Sequence, residues 1–412
     1  MTVADARSAR AVDVVTGHVT LHSGVGGQLA LAEDVTVAPT AGAVARLTLT
    51  GNRVVARSAY VGGNALAAGG AGTFELAAGA SFEAGETVHV WQNGAVALAG
   101  AARFVAGSVA NNGVFDSGSD MTIRERFTNN GGVATLGGNH AWSASSSLVV
   151  NGGAVNLETD LGPSGARNVA VTVNGGNLSV NHSQRLRDLT MTAGVATLRR
   201  GRDTILVTDS LSLSAAATLD LADNGMVISA DEASRDAVLA RVTEWVRNAR
   251  DSAAGRWKGT GITSSAAAEN PLTGLAVTLN PGLTSFEGYA VSPDDILVKH
   301  TWTGDITLDE RVNSDDYFRI DSGFLAGAKG FRNGDLNYDG RINSDDYFLI
   351  DSSFLGQGVT LSSPVSAMAS VSIPEPGIML IWALTVVAAH ARVRRPLKKV
   401  STFSCGEFCR VC

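Results

Sequence analysis

Between residues 93 and 194 a two-residue turn signal recurs at nearly constant spacing, and it constrains the fold more than any other feature of the 412-residue chain. Asn-Gly pairs stand at Asn93-Gly94, Asn112-Gly113, Asn130-Gly131, Asn151-Gly152 and Asn174-Gly175, with Ala193-Gly194 in the next slot, in steps of 19, 18, 21, 23 and 19 residues. Such a period signals a solenoid, in which each repeat buries its apolar face only against its neighbours. Asn and Gly suit a turn that passes through φ > 0. After each pair comes a short apolar strand: Val96 and Leu98, Val114 and Phe115, Val133 and Leu136, Val155 and Leu157, Leu178 and Val180, Val195 and Leu198. These side chains are expected to point inward, with small Ala, Ser and Thr in the remaining slots. Residues 1–230 therefore read as a repeating β coil. Asn-Gly also makes hairpins, so an antiparallel β-sandwich series is the competing architecture.

Composition narrows the rest. The 47 glycines follow no Gly-x-y period, which excludes collagen, and 17% charged residues with 45% hydrophobic ones exclude a disordered chain. A net charge of −7 argues against a nucleic-acid partner, which needs a clustered basic face. All three cysteines, Cys405, Cys409 and Cys412, fall in the last eight residues. A thiol-free body suits export to an oxidising compartment. The C-x3-C-x2-C spacing resembles the cluster motif of radical S-adenosylmethionine enzymes, but no barrel-like run surrounds it, and an unstructured tail is the simpler reading. The period and composition of the first 230 residues resemble the repeats of autotransporter-type passengers, a likeness that implies a right-handed parallel β-helix.

Many such helices cleave polysaccharides, which takes two carboxylates at a controlled separation, or a base with a metal or Arg partner. Asp116 with Asp120 and Glu158 with Asp160 are the nearest pairs, and neither has a suitable companion. The seven histidines are scattered singly, and no nucleophile elbow, phosphate loop or zinc-spaced His set occurs. The expected class is a non-catalytic protein; a component of a polysaccharide-degrading surface system is the alternative. Residues 231–300 break the β pattern. Val238, Leu239, Val242, Trp245 and Val246 form a helical stripe, and an extended spacer after it would cap the open solenoid end.

Segments 304–327 and 334–357 align without a gap and match at 15 of 24 positions. The block between Thr301 and Gln357 holds eleven acids against five bases, or −6 of the net charge. Twelve-residue calcium loops place oxygen ligands at positions 1, 3, 5, 7, 9 and 12, with Gly at 6. In the second segment these are Asp335, Asn337, Asp339, the Arg341 carbonyl, Asn343 and Asp346, with Gly340 at the turn. In the first they are Asp305, Thr307, Asp309, the Arg311 carbonyl, Asn313 and Asp316, with Glu310 in the glycine slot. A non-glycine residue at φ > 0 costs roughly 1 kcal/mol, so the second loop is expected to bind Ca²⁺ several-fold more tightly. Trp302-Thr303-Gly304 cannot continue an entering helix. Tyr317, Ile320, Phe324 and Leu325, and Tyr347, Ile350, Phe354 and Leu355, are expected to pack two exiting helices into one small core.

Asp at position 12, the duplication and a helix only on the exiting side resemble dockerin modules. That resemblance implies an α-helical paired-loop module over 301–357 that docks on a cohesin-like surface protein, with the repeated Ser314-Asp315 and Ser344-Asp345 in the docking surface. After a linker, 358–372, comes Pro374-Glu375-Pro376, a short apolar run from Gly377 to Ala389, and Arg392, Arg394 and Arg395. The run is shorter than the ~20 residues of a durable spanning helix, and the basic end sets its cytoplasmic side. Segment 373–396 resembles a PEP-CTERM sorting signal, which implies processing by an exosortase-type enzyme; a plain membrane tail anchor is the alternative. Residues 397–412 form a basic, cysteine-containing tail. Met1 to Ala11 carries Asp5 and no apolar core, so an entry signal is expected upstream of Met1. The expected whole is an exported cell-surface protein, mainly β, with a calcium-ordered module and a membrane-associated sorting segment.

Overall fold

A computed structural model describes residues 2–358 apart from 4–6, 24–26, 52 and 163–165. Its body is a parallel β-solenoid of about 10 turns. Most coils contribute a short strand to each of three ladders, and the coil after Leu157 has none on the second. On the first, Leu47, Phe74, Val96, Phe115, Ala134, Val155, Leu178, Ala196 and Leu219 are successive register partners, 18 to 27 residues apart. On the second, Val54, Phe82, Phe104, Met121 and His140 are aligned. On the third, Val88, Val109, Phe127, Leu148, Val171, Leu189 and Leu211 are aligned. Among the described residues every ladder up to Ala217–Asp220 is parallel, so the sandwich alternative is excluded.

Side chains from all three ladders meet in the interior. Phe74, Phe82, Phe104, Phe115 and Phe127 are fully buried and run as a chain of aromatic contacts with ring centroids 4.9, 6.1, 5.5 and 5.2 Å apart. Large aromatics in offset or edge-on contact give the interior its apolar mass. Two buried amides sit among them without penalty. Asn111 Nδ2 donates to Asn129 Oδ1 at 2.7 Å, and Asn129 Nδ2 donates to the Gly152 carbonyl at 2.7 Å. A second asparagine column runs outside, with Asn151 donating to Asn130 and Asn174 donating to Asn151, each at 2.9 Å.

The turn glycines meet the expected positive φ only in part: Gly131 and Gly194 adopt it, at 155° and 84°, whereas Gly94, Gly113, Gly152 and Gly175 do not, nor does Gly132 beside the third pair. A Cβ on Gly113 would lie 2.2 Å from the Gly94 carbonyl oxygen, and one on Gly132 would lie 2.2 Å from that of Gly113. Gly153 continues the column at 2.1 Å from the Gly132 oxygen, and there φ is also +70°. Close backbone approach is thus the common requirement. Strand parity also departs from expectation at three places. Val114, Val133 and Val195 are 49%, 46% and 39% exposed, and their neighbours Phe115, Ala134 and Ala196 point inward. Alternation fixes that one of two adjacent apolar residues is buried, and the ladder register decides which.

Helix α1 (Arg235–Arg250) buries Val242, Val246 and Ala249. Beyond it Gly261–Thr263 returns to the first ladder and pairs with Ala217–Asp220. Strand Ile296–Trp302 then lies antiparallel to both Gly225–Ile228 and Thr273–Leu279, and so terminates the parallel stack. All seven of its residues are buried, among them Lys299 and His300. Covering a sheet end in this way removes a template for strand addition.

Two outcomes test this description. Gly113→Ala should lose about 1–3 kcal/mol, the usual cost of overpacking, whereas Gly100→Ala, where an added Cβ meets nothing within 4 Å, should be neutral to within about 0.5 kcal/mol; urea unfolding of both variants measures the difference. Burial, followed by the nearby Arg202 cation, holds the pKa of His300 down from 6.5 to about 4; Arg200 and Arg256 add to this, and Asp223 opposes it. The unfolded chain therefore takes up this proton first as pH falls. The stability due to neutral His300 is complete above about pH 6.5 and is lost as pH falls through about 4. Melting curves of His300→Gln should be flatter with pH over that window than those of the parent.

Candidate metal centre

The duplicated acidic block folds as two loops, each followed by one helix: α3 (Ser314–Ala326) after the first and α4 (Ser344–Gly356) after the second. The first loop has no entering helix, since Trp302 ends a strand, and the second is entered from a single 3-10 turn, Phe331–Asn333. Position 12 closes each loop by the same bonds. Asp316 accepts from the Thr307 and Asn313 amides, and Asp346 accepts from the Leu336, Asn337 and Asn343 amides. The position-9 asparagines act as helix N-caps, with Asn313 Oδ1 and Asn343 Oδ1 each accepting from the amide two residues on at 2.8 Å. Capping satisfies a helix-end donor that the loop alone would leave open.

Positions 4 and 6 are left-handed in both loops: Leu308 and Tyr338 at φ 66° and 64°, Glu310 and Gly340 at 70° and 86°. The sequence shows why Gly340 fits and leaves Glu310 unexplained. In the structure the Glu310 carboxylate bonds Lys299 at 3.0 Å and Arg202 at 3.3 Å, both on the solenoid end. The side chain that strains the loop also ties it down.

The two halves are related by reciprocal contacts. Tyr317 donates to Asp351 and Tyr347 to Asp321, both at 2.6 Å. A Cβ on Gly304 would strike Ile350, and one on Gly334 would strike Ile320. Ile320 and Ile350 are fully buried, but Phe324, Leu325, Phe354 and Leu355 are 55%, 84%, 47% and 82% exposed, so the expected aromatic core is confined to the isoleucines and the ring edges of the tyrosines. The block also leans on the solenoid cap. Buried Tyr338 donates to the Leu275 carbonyl, and Ser353 donates to that of Leu272 at 3.0 Å. Asp321 and Asp351 escaped the sequence reading, as did the ion pairs of Glu310; both aspartates lie within the matched positions, which is the signal that marks them.

Oxygen chemistry concentrates in the loops. One carboxylate oxygen each from Asp305, Asp309 and Asp316 lie within 4.8 Å of one another, with Asp305 and Asp316 buried. Burial pushes the Asp305 carboxyl up to about 6, and the Asp316 and Asp309 carboxylates push the same way against a hydrogen bond from Thr301. Burial likewise raises Asp316, Asp335 and Asp346 above the usual carboxylate range. In the second loop Asp335 Oδ2 accepts from the Gly330 and Gly340 amides, while its buried Oδ1 has no partner. Among the described residues Asp335, Asp339 and Asp346 do not converge to the separation reached in the first loop. Asn337 instead donates to Asp339 at 3.2 Å, and Thr307 donates to Asp316 at 3.1 Å. The Arg311 and Arg341 amides bond Asp309 and Asp339, which turns both loops at position 7. An all-oxygen, carboxylate-rich set of this kind fits a hard divalent cation, and an orphaned buried carboxylate oxygen fits the same need.

The other carboxylates singled out in the sequence belong to the scaffold. Asp160 pairs with Arg185 at 2.9 Å, Glu158 accepts from Asn181 at 2.7 Å, and Asp120 accepts from Asn139 at 3.0 Å. Pro374, Glu375, Pro376, Arg392, Arg394, Arg395 and the three cysteines lie outside the described residues. No helix among the described residues is long and apolar enough to cross a membrane. No family model, curated protein or solved structure matches the chain.

Glu310 gives the test of this geometry. Glu310→Gln keeps the backbone strain and loses the ion pairs, at a cost under about 1 kcal/mol because the group is half exposed. Glu310→Gly loses the pairs and relieves the strain, so it should be more stable than Glu310→Gln by about 1 kcal/mol. Thermal melts of the two variants side by side decide it.

Proposed function

We propose that the chain is an exported, non-catalytic surface protein whose solenoid is a rigid body closed at one end by a pair of Ca²⁺-binding loops. The observation that carries this reading is the convergence of the Asp305, Asp309 and Asp316 carboxylates, repeated in sequence by Asp335, Asp339 and Asp346. Buried carboxylates at this separation repel one another and have given up hydration. A bound cation supplies the missing charge, and its binding energy becomes folding energy of the cap. Asp305, Asp309 and Asp316 would hold the first ion with Thr307 and the Arg311 carbonyl. Asp335, Asn337, Asp339, Asp346 and the Arg341 carbonyl would hold the second. Asn313 and Asn343 serve here as caps, so they would reach an ion through water. Millimolar extracellular calcium keeps sites of modest affinity filled.

The dockerin-like likeness extends the proposal to a protein partner reading Ser314-Asp315 and Ser344-Asp345 on two equivalent helix starts. The right-handed sense of the coil follows the general preference of parallel crossovers. Segment 373–396 would deliver the protein to the envelope as a PEP-CTERM signal processed by an exosortase.

Calcium should raise the melting temperature of the full-length protein over its value in EDTA, by the equivalent of about 2.7 kcal/mol at roughly 100-fold over Kd. Magnesium, which demands a tighter octahedral shell, should do less. Calorimetry should count two ions, and Asp305→Asn and Asp335→Asn should each remove one. Identical melting in EDTA and in calcium would refute the reading.

A further inference from the structure

Six large apolar side chains stand exposed on the two helices of the acidic block: Phe318, Phe324 and Leu325 on α3, and Phe348, Phe354 and Leu355 on α4. Phe318 and Phe348 are 72% and 70% exposed. Contacts fix which way they point. Ser353 donates to the Leu272 carbonyl, a Cβ on Gly356 would strike Leu272, and a Cβ on Gly323 would strike the Asn333 carbonyl, so these positions form the inner side of the helix pair. At 3.6 residues per turn, Phe348 and Leu355 are turned roughly 140–160° from Ser353, and Phe318 and Leu325 by the same angles from Gly323. Between them Tyr317 meets Phe354 edge-on with ring centroids 5.9 Å apart, and Phe324 meets Tyr347 at 6.3 Å. Start meets end in both contacts, so the helices run antiparallel and the six side chains form one outward face.

The face is large, and it matches itself. Its six side chains present roughly 700 Å², above the ~300–600 Å² of the largest apolar patch on a typical monomer. That is close to the ~800 Å² which each partner gives to a standard interface. Duplication makes its halves equivalent, since the bond from Tyr317 to Asp351 is repeated from Tyr347 to Asp321. A face with its own two-fold can meet a second copy of itself with apolar residues against apolar residues, in the isologous manner of a two-fold dimer. Two such helix pairs make a four-helix layer with the phenylalanines inside. Exposed Asp315 and Asp345 stand one turn before Phe318 and Phe348, at the rim. They repel an anionic lipid surface, whereas between two copies their repulsion is screened over about 8 Å at physiological salt. We propose that α3 and α4 form the interface of a homodimer, with Phe318, Leu325, Phe348 and Leu355 buried against the same face of a second chain. This goes beyond the calcium reading, which concerns what fills the loops, and a partner that reads Ser314-Asp315 would compete with it.

The test is sedimentation velocity of the full chain in calcium-containing buffer, from about 1 µM to about 100 µM. The parent should pass reversibly from monomer to dimer over that range. Added sodium chloride should tighten the dimer, because both copies carry the same acidic rim. Phe318→Glu combined with Phe348→Glu should weaken it at least tenfold, whereas Leu66→Glu, at a solenoid residue 93% exposed, should leave it unchanged. Should the first pair lose the parent's circular dichroism, Leu325→Glu combined with Leu355→Glu takes its place. A parent that stays monomeric at the highest concentration overturns the proposal and gives the face to a different molecule. Folded double variants that dimerise as the parent does overturn it too, and place self-association elsewhere in the chain. A dimer that salt dissociates overturns it by showing a contact between opposite charges. Melting in EDTA against calcium, which decides the ion reading, does not enter this measurement.

Discussion

The solenoid rests on one steric allowance: the carbonyl oxygen of each coil occupies the space where the next coil would carry a Cβ. The column through Gly94, Gly113, Gly132 and Gly153 meets that condition at separations no side chain could tolerate. Because backbone meets backbone at this corner, the coils stack in close register, and register then dictates the rest. Buried amides find the next coil's carbonyl, and surface asparagines bond their counterparts one coil away. A side chain added at the corner would separate the coils and break both sets together.

The repeat was legible because its turns demand particular residues. The spacing of Asn-Gly pairs gave the coil length, and the register partners on the first ladder reproduce it. Which of two adjacent apolar residues faces inward was less legible. Val114 and Phe115 both suit a buried slot, and only pairing across coils selects Phe115. The α1 stripe was plain because a 3.6-residue period differs from alternation. In the acidic block the matched spacing revealed both loops, yet amphipathic helices announce an apolar face without saying what covers it. Hence Phe324, Leu325, Phe354 and Leu355 were expected inside and lie exposed. The partners of Glu310 and Tyr338 were beyond reach, since Arg202 and Leu275 lie far away in the chain and no local pattern links them.

Duplication gives the acidic block a symmetry that its surroundings break. Tyrosine to aspartate and glycine to isoleucine contacts are exchanged between halves, as expected when one unit packs against its copy. The first loop faces the solenoid end and carries Glu310, which reaches Lys299 and Arg202. The second presents Tyr338 to the strand Thr273–Leu279. Each copy thus meets its own neighbour through a left-handed loop residue, the first at position 6 and the second at position 4.

The return of Gly261–Thr263 to the first ladder carries a temporal consequence. Coils before it are completed by chain that follows at once, so they can assemble in order as the polypeptide emerges from a ribosome or a membrane pore. The final rung beside Ala217–Asp220 waits for some forty more residues to appear, and Ile296–Trp302, the strand that covers Gly225–Ile228, comes later still. Until then the growing end stays open, and the acidic block that follows directly arrives as the last piece of the closure.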